Sequence, residues 1–451
     1  MNKFLLILLP LALFFFSGSG SGSGSAAGEE PAEAIISRFQ EYLRIDTAHP
    51  TPDYSAAVKF LLSQTLTLEK LRSQTLEFVP EKPLLLLEWR GSDPSLPSLL
   101  LNSHTDVVPS EPSKWLAPPL SASLDPSTGN ILARGSQDMK CVGLQYLEAV
   151  RRLLARGFSP LRTVYLSFVP DEEVGGHDGA KLFSESEIFG QMNVGVVLDE
   201  GLASPGEEYR VFYGERCPWW TTIRATGPPG HGAKLYDGSA AENLARSLEN
   251  VMRFRRSQLD RVKSGEVAEG EAISVNLVYL KAGTPTPTGF VMNLQPSEAE
   301  AGLDIRVPPN ADTVALERRI AEEWAPTSRN MTFEFKEKAS VNDKFGKPLI
   351  TVADSSSPWW GLLKEAVKKA GGKLGKPEIF PASTDARFFR ELGIPAFGFS
   401  PMANTPILLH DHNEFLNKDE YLKGIEVYES IIEAFASYNE HAKDSETRAE
   451  L

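Results

Sequence analysis

An α/β fold on a mostly parallel sheet, interrupted by an inserted α+β unit of ferredoxin-like order, is what this sequence predicts. Three observations carry that prediction. Helical and strand-like hydrophobic patterns alternate from about residue 29 to about residue 205, the signature of crossover units on one sheet. A succession of strand, helix, strand, strand, helix and strand then runs to about residue 338, after which the helix–strand alternation resumes. At 451 residues the chain also exceeds one ordinary core and divides naturally into two.

The elements can be justified in order. Residues 32–43, 54–65 and 141–154 space apolar side chains at the helical period, whereas 84–89, 99–102, 164–169 and 194–198, with Phe78 ahead of them, read as strands. In the insert, strands are expected at 210–225, 272–282, 299–307 and 331–336, and helices at 240–256 and 313–324. Beyond it come a helix at 359–370, a strand at 394–399 and a terminal helix at 418–438, with 441–451 expected to fray. One domain is therefore assembled from two segments, 26–205 and 339–451, around an inserted unit at 206–338. Residues 1–25 stand apart. Lys3, an apolar run at 4–16 and a Ser/Gly tract leading to Ser25-Ala26-Ala27-Gly28 match a secretory signal peptide and linker better than a membrane span. The expected location is the secretory pathway, with the cytoplasm as runner-up and no stable membrane association after cleavage.

Composition is that of a globular protein, 41% hydrophobic and 24% charged. The net charge of -14 argues against nucleic acid or an anionic membrane surface as partner, because both select basic patches. The two cysteines, Cys141 and Cys217, lack the spacing of a structural zinc site and fall in different domains, so no bridge is expected. Cys141 reads as a small buried hydrophobe opening a helix rather than as a nucleophile.

The chemistry lies in clusters at the ends of apolar runs: Ser103-His104-Thr105-Asp106, Ser136-Gln137-Asp138-Met139, Pro170-Asp171-Glu172-Glu173, Leu198-Asp199-Glu200-Gly201 and Leu409-His410-Asp411-His412-Asn413-Glu414. Three of them follow predicted strands. Functional groups of an open α/β sheet gather at the carboxyl ends of its strands, so the clusters can meet in one crevice as a two-metal hydrolase site. Asp106 is placed to hold the second ring nitrogen of His104. Asp138, before a predicted helix, is an N-cap on its own and a bridge between two cations in this company. Glu172 and Glu173 leave a strand on opposite sides, so one can bind metal while the other shuttles a proton. Glu200 offers a terminal carboxylate, with Asp199 as its competitor. His231, between glycines in the insert, reads either as a solvent-facing loop residue or as a group free to reach a developing oxyanion.

These motifs resemble the dinuclear zinc carboxypeptidase-G/aminoacylase family of metallopeptidases, over about residues 31–438. Leu101-Asn102-Ser103-His104-Thr105-Asp106-Val107-Val108-Pro109, Gln137-Asp138-Met139-Lys140, Pro170-Asp171-Glu172-Glu173-Val174-Gly175-Gly176 and Leu198-Asp199-Glu200-Gly201 carry the resemblance. Cys217-Pro218-Trp219-Trp220, Gly398-Phe399-Ser400-Pro401-Met402 and Leu408-Leu409-His410-Asp411-His412 point to its aminoacylase branch. The resemblance implies a zinc-peptidase catalytic domain with an inserted lid or dimerisation domain, and two zinc ions per subunit. His104, Asp138 and Glu200 would hold one ion, and Asp138, Glu173 and His410 the other. His410 is preferred to His412 because Glu414 follows it at the family's spacing. Glu172 would be the general base and acid, and Asp106 would act beside it. His231 would polarise the scissile carbonyl, often from the partner subunit of a homodimer. Asn276 and Arg387 would hold the substrate carboxylate, with Arg306 a less secure candidate, and the bond after Asp138 would be cis.

The implied reaction is hydrolysis of a small N-acyl-L-amino acid to a carboxylate and a free amino acid. A dipeptidase or carboxypeptidase of the same family is the alternative. A catalytically silent metal-binding protein would be signalled by loss of Glu172 or a ligand, and none is lost. The auxin-conjugate hydrolases are set aside because their metal site relies on a cysteine pattern absent here.

Overall fold

The computed structural model describes residues 30–439; the expected leader at 1–25 and the expected frayed end at 441–451 lie outside them. The larger sheet has eight strands in the order Leu71–Glu77, Pro83–Trp89, Val164–Val169, Ser98–His104, Val194–Asp199, Ala396–Phe399, Glu208–Glu215 and Lys373–Phe380. Its central pairings are parallel, and antiparallel pairings join Leu71–Glu77, Pro83–Trp89 and Val164–Val169 at one side and Ala396–Phe399 to Glu208–Glu215 at the other. This is the mixed α/β fold with a large, mostly parallel sheet that the alternation predicts.

Both faces of that sheet are covered, which is why its strands read as continuous apolar runs. Leu85, Leu87, Leu99, Leu101, Val196 and Leu198 pack toward the helices Ala32–Leu43, Lys140–Ala155, Pro358–Lys369 and Lys418–Ser437. The alternate residues Leu84, Leu86, Leu100 and Val197 enter a second cluster with Phe183, Phe189 and Phe389. Every residue of Ser98–His104 is buried, so the strand ends in a histidine delivered from the middle of the protein.

The second sheet has four antiparallel strands ordered Ser274–Ala282, Glu298–Val307, Cys217–Thr226 and Met331–Lys338. Its inward residues Trp219, Ile223, Leu303 and Ile305 share a core with Leu244 and Val251 of the helix Ala240–Lys263 and with Leu316 of Thr313–Arg319.

One strand departs from expectation. The run predicted as a single strand at 210–225 divides at Arg216: Glu208–Glu215 joins the large sheet and Cys217–Thr226 the small one. The small sheet therefore begins at Cys217, not at 210. The division is pinned by polar groups that apolar periodicity does not register. Glu215 is buried in an ion pair with Arg390, and Arg216 donates to the carbonyls of Pro381 and Ala272 on either side of the junction. The edge strands Leu71–Glu77 and Lys373–Phe380 and the short helix Ala386–Glu391 are additions to the predicted set. The first of these is largely exposed and polar, as an unpaired sheet edge tends to be. Phe78 lies just beyond it rather than in a strand.

Candidate active site and metal centre

Five side chains from five places in the chain converge at the carboxyl ends of the central strands. His104 ends Ser98–His104, and its Nε2 lies 3.1 Å from Asp138 Oδ1 and 3.7 Å from Glu200 Oε2. Glu200 directly follows Val194–Asp199. The second Asp138 oxygen, Oδ2, lies 3.1 Å from His410 Nε2, and that same nitrogen is 3.0 Å from Glu173 Oε2. The donors thus form two groups, His104–Asp138–Glu200 and Asp138–Glu173–His410, that share Asp138. The Asp138–Met139 peptide is cis.

These residues fit a pair of cations. Each oxygen of Asp138 faces a different histidine, and Glu173 Oε1 is buried without a hydrogen-bond partner. Three carboxylates crowded into one buried pocket repel one another unless positive charge lies between them. Burial pushes the Glu200 and Glu173 carboxyls above their ordinary range, and nearby Asp138 adds to the effect. Burial alone would lower the His410 imidazole, but its bonds to Asp138 and Glu173 raise it to about 10. Asp138 goes the other way: its bonds to His104 and His410 outweigh burial and hold it well below the usual carboxylate range.

Glu172 and Glu173 occupy a single turn after Val164–Val169. Asp171 opens it in the left-handed region, donating its N–H to Tyr54 Oη at 3.0 Å while its carboxylate takes the ammonium of Lys82. Gly176 closes it at φ 66°, where a Cβ would sit 2.3 Å from Asp385 Oδ1. The tight turn that Gly175-Gly176 implies is thus brought against Asp385. Among the described residues the Glu172 carboxyl makes no side-chain hydrogen bond, and burial holds it well above the ordinary range. A partly shielded carboxyl that keeps its proton easily, beside a pair of cation sites, is suited to general acid–base work.

Asp106 departs from the expected arrangement. The Nδ1 of His104 meets the main-chain carbonyl of Asp106 at 3.0 Å, while the carboxylate is farther, at 3.6 Å. That carboxylate instead accepts the main-chain N–H groups of Glu172 and Glu173, at 3.3 and 3.1 Å. Asp199, the competitor of Glu200, is occupied by Asn102 at 3.1 Å and belongs to neither donor group. The His412 imidazole faces Glu111 at 3.8 Å and belongs to neither donor group.

The other predicted residues are placed less centrally. Arg387 is buried and donates to the Gly175 carbonyl at 2.5 Å, with no carboxylate partner among the described residues. His231 and Asn276 lie exposed on the insert. His231 accepts from Ala233 N–H at 3.1 Å, and Asn276 Oδ1 accepts from Arg255 at 3.2 Å. No hydrogen bond or ion pair joins either to the five ligand candidates among the described residues. Arg306 pairs with Asp304 on its own strand. Both cysteines are free and buried.

Two further contributors hold the site together, Glu414 of the His410 motif and His49, which the sequence does not single out. Glu414 is fully buried, paired with Arg134 at 2.6 Å and accepting Gln137 N–H at 2.7 Å. It fastens the loop carrying His410 to the segment before Asp138. His49 bonds Asp106 at 2.8 Å from a loop that follows no strand.

Residues 100–434 match the model of peptidase family M20/M25/M40. The chain belongs to this family. It is 44% identical to mouse aminoacylase-1 over 403 residues, covering 89% of this chain and 95% of that protein. Human aminoacylase-1 is 41% identical over 419 residues, covering 93% and 99%, and the Dictyostelium discoideum protein of that name is 45% identical over 410, covering 88% and 96%. Among solved structures, an M20 family metallo-carboxypeptidase from Sulfolobus solfataricus superposes with a TM-score of 0.66 at 18% identity, covering 89% of this chain and 99% of that one. A dinuclear metal-binding peptidase of the M20 family from Bacillus subtilis gives 0.61 at 16% identity, covering 89% and 98%. These two show the fold.

Proposed function

We propose that this M20 family hydrolase cleaves the amide bond of small N-acyl-L-amino acids, using two zinc ions and Glu172. The carrying observation is the pair of donor groups sharing Asp138, with Glu172 on the turn that also supplies Glu173. The similarity to aminoacylase-1 proteins over nearly their full length selects this substrate class from the broader family. His104, Asp138 and Glu200 would hold one ion, and Asp138, Glu173 and His410 the other. A metal pair held there would supply Lewis-acid polarisation of the scissile carbonyl and a lowered pKa for a water. Glu172 accepts the proton of the attacking water and later returns it to the leaving amine, so both the carboxylate and the acid are used in one turnover. Arg387, buried and without an ionic partner among the described residues, suits the substrate carboxylate because its planar fork pairs with two oxygens at once.

The assay is hydrolysis of a panel of N-acetyl amino acids, dipeptides and C-terminally blocked peptides by metal-free protein and by the same protein reloaded with zinc. Zinc-dependent release of free amino acid from the acetylated compounds supports the reading. Preference for dipeptides moves the chain to the dipeptidase or carboxypeptidase alternative.

The working unit in this proposal is a homodimer. His231 and Asn276 do not meet the ligands of their own chain, and the insert's edge strand Ser274–Ala282 exposes Val278 and Leu280 beside unpaired backbone groups, a template for a second chain. Mixing inactive His231→Ala and Glu173→Ala proteins should then restore activity through hybrid sites. Mixtures no more active than either parent after subunit exchange would leave His231 acting within one chain or not at all. The leader assigns the protein to the secretory pathway. Sequencing of the native N-terminus tests this: a start near Ala26 to Glu29 fits, and an intact Met1 does not. No helix of the described residues is long and apolar enough to cross a membrane.

A further inference from the structure

Asp106 is a buried carboxylate at which four groups meet, and three of them belong to the site described above. Oδ1 accepts the Glu172 N–H and lies near His104; Oδ2 accepts the Glu173 N–H. The fourth is His49. Its Nε2 lies 2.8 Å from Oδ2, and since an ionised carboxylate can only accept, the imidazole is the donor. His49 is held there by its backbone: His49 N–H donates to the Val107 carbonyl at 3.1 Å, and Val107 N–H to the Thr47 carbonyl at 3.0 Å. The segment 47–49 is thus laced alongside the residue that follows Asp106.

From this we infer that His49 is a positioning residue for the Glu172–Glu173 turn, acting through Asp106. A carboxylate bonded only by main-chain amides on one side can rotate about its Cβ–Cγ bond. The His49 donor, approaching Oδ2 from another element, fixes that rotation and leaves both oxygens aimed at the two amides. Those amides belong to the two residues on which the proposed chemistry depends, one as proton carrier and one as ligand. Half a turn of misalignment would move both together. The inference rests on the proposed function for its kinetic consequence and on the contacts alone for its effect on Glu173 as a ligand.

The test compares His49→Ala with His49→Gln, whose side-chain amide can place an N–H where Nε2 stands. Wild type and both variants are purified as full-length protein, and zinc affinity is measured by competition with a chromophoric chelator. Hydrolysis of an N-acetyl amino acid is followed in parallel. The expected result for His49→Ala is a loss of about 10-fold in affinity for one of two zinc equivalents and a similar fall in kcat with KM little changed, the scale typical of removing a partner that orients a ligand. His49→Gln should recover most of both losses. Equal zinc affinity in His49→Ala and wild type overturns the inference, as does a His49→Gln protein as impaired as His49→Ala. A wild-type protein that binds zinc but leaves every N-acetyl compound intact counts against the proposed function, and the chelator comparison still decides the role of His49.

Discussion

The two halves of the metal centre share Asp138 but are built differently. The His104–Asp138–Glu200 half is fully buried: His104 is 1% exposed at the end of a strand buried along its whole length, and Glu200 immediately follows another strand. The Asp138–Glu173–His410 half is shallower. Its histidine has a half-exposed side chain on a loop at φ 62°, and its glutamate sits on a turn kept in place by Asp106 and Asp171. One half inherits its geometry from the sheet, and the other is held by side chains. The deep half should therefore tolerate changes in its surroundings, and the shallow half should respond to each of its fastenings.

The largest effect leaves both halves intact. Glu172→Gln keeps the shape of the side chain and removes its ability to carry a proton, so kcat should fall by roughly 100-fold or more while zinc content stays at the wild-type level. Activity near wild type in this variant would show that the base lies elsewhere.

Removing one histidine from each half tests the comparison directly. His410→Ala should lose the shallow ion, retain the deep one and unfold near the wild-type temperature. His104→Ala leaves the buried carboxylates of Asp138 and Glu200 without their cationic partner, a change that costs about 3–5 kcal/mol for a broken buried pair. It should lose the deep ion and melt markedly lower. Zinc per chain and Tm, read together, check both; equal behaviour of the two variants would erase the distinction between the halves.

A smaller effect is expected at the fastening. Glu414→Gln keeps an acceptor for Gln137 but leaves buried Arg134 without its counter-charge. Zinc affinity should weaken about 10-fold on the His410 side and less at His104, as read by chelator competition. Uniform weakening at both sites would mean that Glu414 serves Asp138 alone.

The same contrast explains what the sequence could disclose. Strand-borne residues are legible because an apolar run ending in a polar cluster announces both a strand and its functional end; His104, Glu173 and Glu200 stand at or just past such ends and come together with Asp138 and His410, which follow no such run. Side-chain fastenings are not. His49 is a single polar residue whose partner lies 57 positions away, and the motif that places Glu414 beside His410 gives no sign of Arg134, 280 positions away. The Asp106 carboxylate lies within 3.6 Å of the His104 ring, yet its hydrogen bonds go to the Glu172 and Glu173 amides because the nearer Asp106 carbonyl takes the imidazole. The split of the predicted 210–225 strand has a similar origin. Apolar periodicity runs on through Glu215 and Arg216, and only their distant partners show that the chain changes sheets there.

The smallest expected effect concerns pH, and its sign follows from the protons that occupy the site when zinc does not. The His410 imidazole is raised to about 10 in the fold, against about 6.5 in an unfolded chain. Its contribution to stability is therefore fully present below the lower value and is lost as pH rises through the higher one. Burial raises Glu172 and Glu200, favouring their neutral forms in the fold, so their contribution also declines with rising pH. Asp138, held low, stays ionised over this range and adds no slope. Metal-free protein should thus melt a few degrees lower at pH 9 than at pH 6. Zinc must displace these protons to bind, and in doing so it replaces their charge. The zinc-loaded protein should show a flatter profile, with the gap between loaded and metal-free Tm widening toward high pH. In His410→Ala the metal-free slope should shrink, because the shallow histidine supplies part of it. A metal-free Tm that is flat or rising between pH 6 and pH 9 would break the assignment of protonated imidazole to the shallow half.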